Sequence, residues 1–206
     1  GNLSFNDALS SSSSRGPASD GRIKPDICAV GSSVYSTISP NTYGTKSGTS
    51  MACPGASGVL AQMMQAYKET HSNTEPKGGL MKAIMMNTAD DLGNPGPDFK
   101  FGYGRINAKY AIDVIQNDHF ISSTYIDAIG ANTHQLNVPT GLKELKIMLY
   151  WMDPAASSGA AIALINDLDI EVTQPIIPGT LKPWVLDPQP NTTSLNANAI
   201  RARDDL

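Results

Sequence analysis

The sequence predicts an α/β domain followed by an all-β, sandwich-like domain, and two changes in its pattern lead to that prediction. From Ala52 to Tyr67 the apolar residues recur at the spacing of an α-helix. After His119 they alternate with polar residues, which is the period of a half-buried strand. We therefore expect one domain over residues 1–117 and a second over residues 118–206.

The first domain is predicted to hold a partial parallel sheet around a buried central helix. Proline and glycine clusters mark its turns, and a run of apolar residues marks each helix. In chain order, its predicted elements are strands at 23–30 and 34–38, a turn at 40–44, the central helix from Ser50, a helix at 80–85, a loop at 90–98 and a last helix capped by Asn107.

The composition indicates an ordinary globular chain. Hydrophobic residues make up 40% of the 206 residues and charged residues 17%, with a net charge of -4. The negative charge and the lack of a Lys/Arg cluster argue against nucleic-acid binding. No apolar run is long enough to span a membrane. Cys28 and Cys53 are expected to be free buried thiols, and a disulfide between them stays an open alternative.

The central helix carries the chemistry that the sequence suggests. Few charges interrupt it before Lys68, so we expect burial on nearly all sides, with Gly55 and Gly58 meeting another backbone. Pro54 falls in its first turn, where proline is tolerated. The N-terminus of a helix has unpaired N–H groups and partial positive charge, which can hold an oxyanion beside the hydroxyl of Ser50.

Four stretches together resemble the subtilisin-like serine peptidases. Gly48-Thr49-Ser50-Met51-Ala52-x-Pro54 resembles the nucleophile signature of that family. Residues 13–17 (Ser-Ser-Arg-Gly-Pro) and 20–31 resemble the strand and loop that precede the nucleophile, and residues 102–108 resemble the opening of the last helix. The resemblance covers roughly residues 10–116.

This resemblance implies that the full-length protein is a serine endopeptidase with Ser50 as its nucleophile, acting through an acyl-enzyme. It also implies polypeptide substrates, no required cofactor, and a secreted or cell-surface location. The segment before Ser50 would line the leaving-group side of the substrate cleft, although an ordinary surface hairpin is the alternative. The substrate-binding residues implied by the resemblance are Lys46, Ser47, Gly48 and Thr49.

A serine nucleophile needs a general base, and the sequence does not place one before Ser50. In the resembling family an aspartate, a histidine and an oxyanion asparagine precede the serine, yet the chain has no histidine before Ser47. His71, His119 and His134 are interpreted as surface residues. We therefore expect that this chain alone is inactive and needs an upstream part of the same catalytic domain. The alternative is a non-catalytic scaffold with an adhesion or carbohydrate-binding β-sandwich.

The second domain is predicted from two alternating runs. Residues 166–175 resemble a strand of the β-sandwich modules, jelly-roll or P-domain-like, that follow some subtilisin-like domains. About four strands are visible where such a sandwich needs about seven or eight, so we expect it to be incomplete. The predicted inward residues are Leu145, Ile147, Leu149 and Trp151 in the first run and Leu164, Asn166, Leu168, Ile170 and Val172 in the second.

Asp167 and Asp169 are candidate ligands for a structural calcium ion. They share the polar face of the second run with Glu171, and Asp153 and Asp187 are further candidates. Carboxylate oxygens suit calcium. A solvated strand face is the other interpretation, because a flat row of acids on one strand does not by itself wrap an ion.

Overall fold

A computed structural model describes residues 1–19, 21–123, 130–160, 164–175 and 179–187, together with the backbone of 200–201. The helices in these ranges are α1 (Thr49–Thr70), α2 (Gly78–Asn87) and α3 (Ala108–Gln116). The strands form four pairs. One pair is parallel and joins β1 (Asn2–Leu3) to β2 (Ala29–Val30). The other three pairs are antiparallel: β3 (Val34–Ile38) with β4 (Thr42–Lys46), β5 (Val172–Thr173) with β6 (Thr180–Leu181), and β7 (Trp184–Val185) with β8 (Ile200–Arg201).

The predictions of local structure for residues 1–117 are largely confirmed. All three helices form where periodicity and caps place them, and Asn107 caps α3 by accepting a hydrogen bond from the Tyr110 N–H. The turn before α1 is shorter than predicted, because β4 already begins at Thr42. The strand predicted over 23–30 is reduced to Ala29–Val30, and Cys28 instead forms an isolated parallel bridge with Arg105.

The helical core lies at the C-terminal half of α1. There α2 and α3 pack against α1, and the contacts are between aliphatic and methionine side chains. Burying these side chains is the main source of stability for the three helices. The fully packed set is Met63, Ala66, Met81, Ile84, Ala111 and Ile115.

The prediction that α1 is buried on nearly all sides is wrong for the described chain. Ala52, Met63 and Ala66 are buried, but Met64 is 37% exposed. A Cβ placed on Gly55 or Gly58 would have no described heavy atom within 4 Å, so neither glycine meets another backbone there. The physical reason is one-sided packing: most buried and half-buried residues of α1 lie on one side of the helix, and the residues on its other side are exposed among the described residues. The elements in contact with α1 are α2, α3, β1 and β2.

A charged network ties the N-terminal loop to the start of α3. Arg105 donates to both carboxylate oxygens of Asp7 (2.7 and 2.8 Å) and to Asp90 (2.7 Å). The Asn107 side chain donates to the other Asp90 oxygen at 3.0 Å. Partial burial raises the pKa of Asp90, but the Arg105 and Asn107 donors together outweigh it and leave that pKa below its ordinary value.

Replacing Arg105 with methionine is expected to lower the free energy of unfolding at neutral pH by about 1 kcal/mol, because two carboxylates lose their cation. The pKa of Asp90 is lower in the folded state than its unfolded value of about 3.9. The contribution of Asp90 to the free energy of unfolding is therefore fully present above the unfolded-state pKa and is lost as the pH falls through the folded-state pKa. Urea unfolding at neutral pH and at about pH 2 measures the difference in free energy of unfolding between the Arg105→Met variant and the wild type. The variant and the wild type should differ at neutral pH and converge in acid.

The matched control for this prediction is Lys109→Met, which removes the exposed Lys109–Asp113 pair on α3. Exposed pairs contribute little, so this variant should unfold like the wild type. An Arg105→Met protein as stable as the Lys109→Met protein at neutral pH would contradict the assignment.

A segment after residue 118 packs against α2 and the residues that follow it. The Asn87 side chain donates to the Lys146 carbonyl at 3.2 Å, and Lys146 Nζ donates to the Ala89 carbonyl at 3.1 Å. Farther along, the Tyr150 ring lies against Gly79, and Lys82 Nζ is 5.6 Å from the centre of that ring. The segment 146–152 therefore runs along α2.

This packing reverses the predicted inward face of the first alternating run at Leu145, Ile147 and Leu149, whereas Trp151 is half-buried as predicted. Leu145, Ile147 and Leu149 are exposed (49%, 39% and 38%), whereas Met148 and Tyr150 are half-buried. Alternate residues of an extended chain point to opposite sides, so contact of the Tyr150 side with α2 turns the leucines outward. The second run follows its prediction, with Leu164, Asn166, Leu168, Ile170 and Val172 half-buried.

The β-sandwich stays a prediction. Among the described residues after 118, strand pairing is limited to β5–β6 and β7–β8, each with two residues per strand. In the described ranges, no helix has both the length and the apolar character needed to cross a membrane.

Candidate active site

Ser50 lies in the first turn of α1 with its side chain exposed. The helix starts after Gly48, whose φ of 154° is a backbone conformation that side chains rarely adopt. The Gly48 carbonyl accepts the first helical hydrogen bonds, from Met51 at 3.0 Å and Ala52 at 3.3 Å. The first N–H groups of a helix have no intrahelical acceptor, and the aligned peptide dipoles add positive potential there. The Ser50 hydroxyl therefore lies at an exposed site suited to an anion.

The start of α1 is held by the end of β2. The Gly48 N–H donates to the Gly31 carbonyl at 2.8 Å, and the Gly31 N–H donates to the Leu3 carbonyl in β1 at 2.9 Å. A Cβ on Gly31 would lie 2.5 Å from the Gly48 carbonyl oxygen and 2.8 Å from the Ala52 Cβ. Only glycine permits this approach, so the parallel β1–β2 pair sets the position of Ser50.

The residues predicted to bind substrate lie together with Ser50. Lys46 ends β4 with an exposed side chain, and Ser47, Gly48 and Thr49 lead directly into α1. The Ser47 Oγ accepts a hydrogen bond from the Ser33 N–H at 2.8 Å, so this side chain supports the loop. Their roles toward substrate stay predictions.

His71 and His119 lie at the opposite end of α1 from Ser50. His71 is the C-terminal cap of this 22-residue helix, about 30 Å from its start at 1.5 Å per residue. Its ring stacks on Tyr67 at 3.9 Å, and its Nε2 is 2.9 Å from Asp118. His119 follows Asp118 directly and is exposed. Neither histidine can serve Ser50 as a base in this structure.

His134 is also exposed, as the sequence predicts. It forms no hydrogen bond or ion pair with any residue that the structure describes. The Ser50 hydroxyl likewise has no hydrogen-bond partner within the described ranges. A base for Ser50 is therefore not supplied by the described residues.

The two cysteines are both free, and they differ in burial. Cys28 is buried as predicted; its Sγ donates to the Phe101 carbonyl at 3.4 Å, and burial raises the pKa of the thiol. Cys53 is exposed, one helical turn after Ser50, so the prediction of a buried thiol is wrong there. The reason is the uncovered side of α1.

The candidate calcium ligands Asp167 and Asp169 are exposed on the polar side of their run. Asp153 instead accepts hydrogen bonds from the Ile165 and Asn166 N–H groups, which hold its pKa below the ordinary value. Within the described residues, no three acidic, histidine or cysteine side chains converge as a metal site would require. The calcium site stays a prediction.

Gly31 and Ser33 are the residues of this site that the sequence-based interpretation did not single out as positioning residues. In the sequence, Gly31 is the last residue of a family-like stretch, residues 20–31. Its position directly after a predicted strand was the available signal, because glycine there often marks a close backbone approach.

A sequence model of the subtilase family (Peptidase S8) matches residues 1–104, just over half of the chain. The chain is 34% identical over 110 residues to the C5a peptidase of Streptococcus pyogenes, which covers 50% of this chain and 9% of that protein. It is 35% identical over 109 residues to an extracellular serine protease of Serratia marcescens, covering 42% of this chain and 10% of that protein.

A longer match extends beyond residue 117. The chain is 27% identical over 243 residues to the serine protease/ABC transporter B family protein tagD of Dictyostelium discoideum, covering 80% of this chain and 13% of that protein. The structure of the CspB protease of Clostridium perfringens is similar with a TM-score of 0.50 and 29% identity, over 56% of this chain and 26% of that one.

These comparisons agree with the geometry around Ser50. The chain spans about a tenth of the length of the curated relatives and about a quarter of the solved protease. The family match covers both the β1–β2 pair and α1, the elements that position Ser50. The chain belongs to the subtilase family of serine peptidases.

Proposed function

We propose that this chain supplies the nucleophile of a serine endopeptidase, and that Ser50 is that nucleophile. The observation that carries the proposal is the exposed Ser50 hydroxyl in the first turn of α1, where helix N–H groups and the helix dipole favour negative charge. The family match over residues 1–104 supports the same reaction class.

In the proposed reaction the Ser50 Oγ attacks the carbonyl carbon of a peptide bond while a general base removes the hydroxyl proton. The carbonyl oxygen becomes an oxyanion, which the Ser50 N–H stabilises by donating a hydrogen bond. The base then gives the proton to the leaving amine, and an acyl-enzyme remains on Ser50. Water, activated by the same base, hydrolyses that ester and restores the hydroxyl.

The proposal assigns the general base to a histidine outside the described residues. His71 and His119 are about 30 Å from Ser50 along α1. The uncovered side of α1 near Gly55 and Gly58 leaves room for more of the catalytic domain beside Ser50. We accordingly expect this chain to be inactive by itself.

The substrates are proposed to be polypeptides met outside the cell. One relative is named an extracellular serine protease, and another is named C5a peptidase. The exposed position of Ser50 and of the neighbouring Lys46 is compatible with a macromolecular substrate.

Fluorophosphonate labelling, read by mass spectrometry at Ser50, tests the proposal. The 206-residue chain and the full-length gene product are compared, with Ser57 as an internal reference because it is an exposed serine two turns farther along α1. We expect rapid labelling of Ser50 only in the full-length protein and none at Ser57. Rapid labelling of the chain alone would place the base within it. No labelling of either protein would favour a binding scaffold without catalysis.

A further inference from the structure

We propose that the side chains of Tyr35 and Tyr43 form a remote subsite for an apolar or aromatic side chain of an extended polypeptide substrate. This inference rests on the proposed function of Ser50. It concerns the β3–β4 hairpin, which leads directly into the loop before Ser50.

The pairing register puts both rings on one side of the hairpin. Tyr35 pairs with Thr45 and Thr37 pairs with Tyr43, so these four side chains share a face. The two rings are stacked, with centroids 5.9 Å apart and planes inclined by 22°. They are nevertheless 70% and 63% exposed, because the contact covers only the facing sides.

The two stacked rings form one continuous exposed apolar surface. Each ring keeps a large apolar area in water, and burying that area against another apolar group is favourable. The only other side chains on this face are Thr37 and Thr45, which carry no charge. The surface therefore favours an apolar or aromatic ligand group over a charged one.

The hairpin is joined to the segment of the candidate nucleophile by hydrogen bonds at its base. Its base is held by the hydrogen bond from the Ser33 N–H to Ser47 Oγ and by that from the Gly48 N–H to the Gly31 carbonyl, both 2.8 Å long. A strand advances by about 3.3 Å per residue, so the four residues from Tyr43 to Ser47 cover about 13 Å. Ser50 follows three residues after Ser47, in the first turn of α1. An extended substrate advances at the same rate as a strand, so a side chain about five residues from the cleaved bond is at the distance of the rings.

The backbone of the hairpin also suits an extended ligand. β3 and β4 pair with each other only, among the strands of the described ranges, so each has an outer edge without a strand partner there. Extended peptides bind such edges through main-chain hydrogen bonds, and alternate side chains then contact the face beside the edge. These observations commit the subsite to an extended peptide segment.

The test uses the full-length protein and long peptides that differ at one position, with leucine or glycine five residues from the cleaved bond. Separate peptides carry this position on the acyl side and on the leaving-group side. The measured quantity is the ratio of kcat/KM for the leucine peptide to that for the glycine peptide. For one of the two peptide pairs, acyl-side or leaving-group-side, we expect this leucine-to-glycine ratio to be about ten-fold lower in a Tyr35→Ser/Tyr43→Ser protein than in the wild type.

Two controls separate this effect from a loss of structure. Tyr35→Phe/Tyr43→Phe keeps the rings and should keep the ratio, and Tyr110→Ser removes an exposed tyrosine on α3 and should leave it unchanged. If the double serine variant unfolds, Tyr35→Ser alone replaces it, with an expected fall of about three-fold. A ratio that is the same in the serine variants and the wild type would overturn the proposal.

The failure of this inference is distinguishable from failure of the proposed function. A Ser50→Ala protein binds the labelled long peptides without cleaving them, and fluorescence polarisation measures that binding. Peptide binding that depends on the two rings, without any cleavage that depends on Ser50, would support the subsite and refute the proposed peptidase function. Cleavage that depends on Ser50 but not on the two rings would support the proposed peptidase function and refute the subsite.

Discussion

Replacing Ser50 with alanine is expected to lower kcat/KM of the full-length protein by about 10⁴-fold or more. The hydroxyl oxygen is the atom that forms the acyl-enzyme, and the remaining groups cannot substitute for it. The substitution removes one exposed oxygen and leaves the first turn of α1 in place, so the unfolding midpoint should hardly change. Peptide hydrolysis and thermal unfolding of the same preparations measure the two effects.

The matched control is Ser57→Ala, which changes an exposed serine in the same helix. Its hydroxyl donates to the Cys53 carbonyl at 3.1 Å, an interaction within α1 that alanine can lose cheaply. This control should keep full activity. A Ser50→Ala protein that retains more than about one hundredth of the wild-type rate would refute the assignment of the nucleophile.

Replacing Gly31 with alanine is expected to slow fluorophosphonate labelling of Ser50 in the full-length protein at least about ten-fold and to destabilise the fold by about 1–3 kcal/mol. The new methyl group would lie 2.5 Å from the Gly48 carbonyl oxygen, 2.6 Å from Asn2 Oδ1 and 2.8 Å from the Ala52 Cβ. Something must move, and two of these three atoms belong to the start of α1. The displacement therefore reaches Ser50 directly.

Gly78→Ala is the control for this prediction because it adds the same methyl group to the first residue of α2, where no described heavy atom lies within 4 Å of it. Alanine is the better helix former by about 1 kcal/mol, so this variant should be at least as stable as the wild type. Urea unfolding gives the stabilities, and the labelling rate gives the effect on Ser50. Equal labelling rates for Gly31→Ala and wild type would show that β2 does not position the nucleophile.

Much of the first domain was predictable from sequence, because its elements are defined by local signals. Asn107 caps α3 with a side chain that satisfies a backbone N–H three residues later, which is a purely local interaction. The Gly-Thr-Ser stretch likewise marked the start of α1 and, with it, Ser50. The resemblance over residues 10–116 named the family that the match over residues 1–104 confirms.

Long-range packing decided what local patterns left undetermined. The apolar character of α1 indicated burial but not on which sides, and only the positions of α2 and α3 show which side is covered. The alternating residues near Tyr150 indicated a segment with two faces, and the contact of Tyr150 with Gly79 on α2 determines which of these faces is packed inward. The sequence by itself determined the helices, the hairpin and the nucleophile, because each depends on neighbours within a few residues. Only the tertiary structure decided how Gly31 meets Gly48 and how far Ser50 lies from His71, because those distances depend on residues remote in the chain.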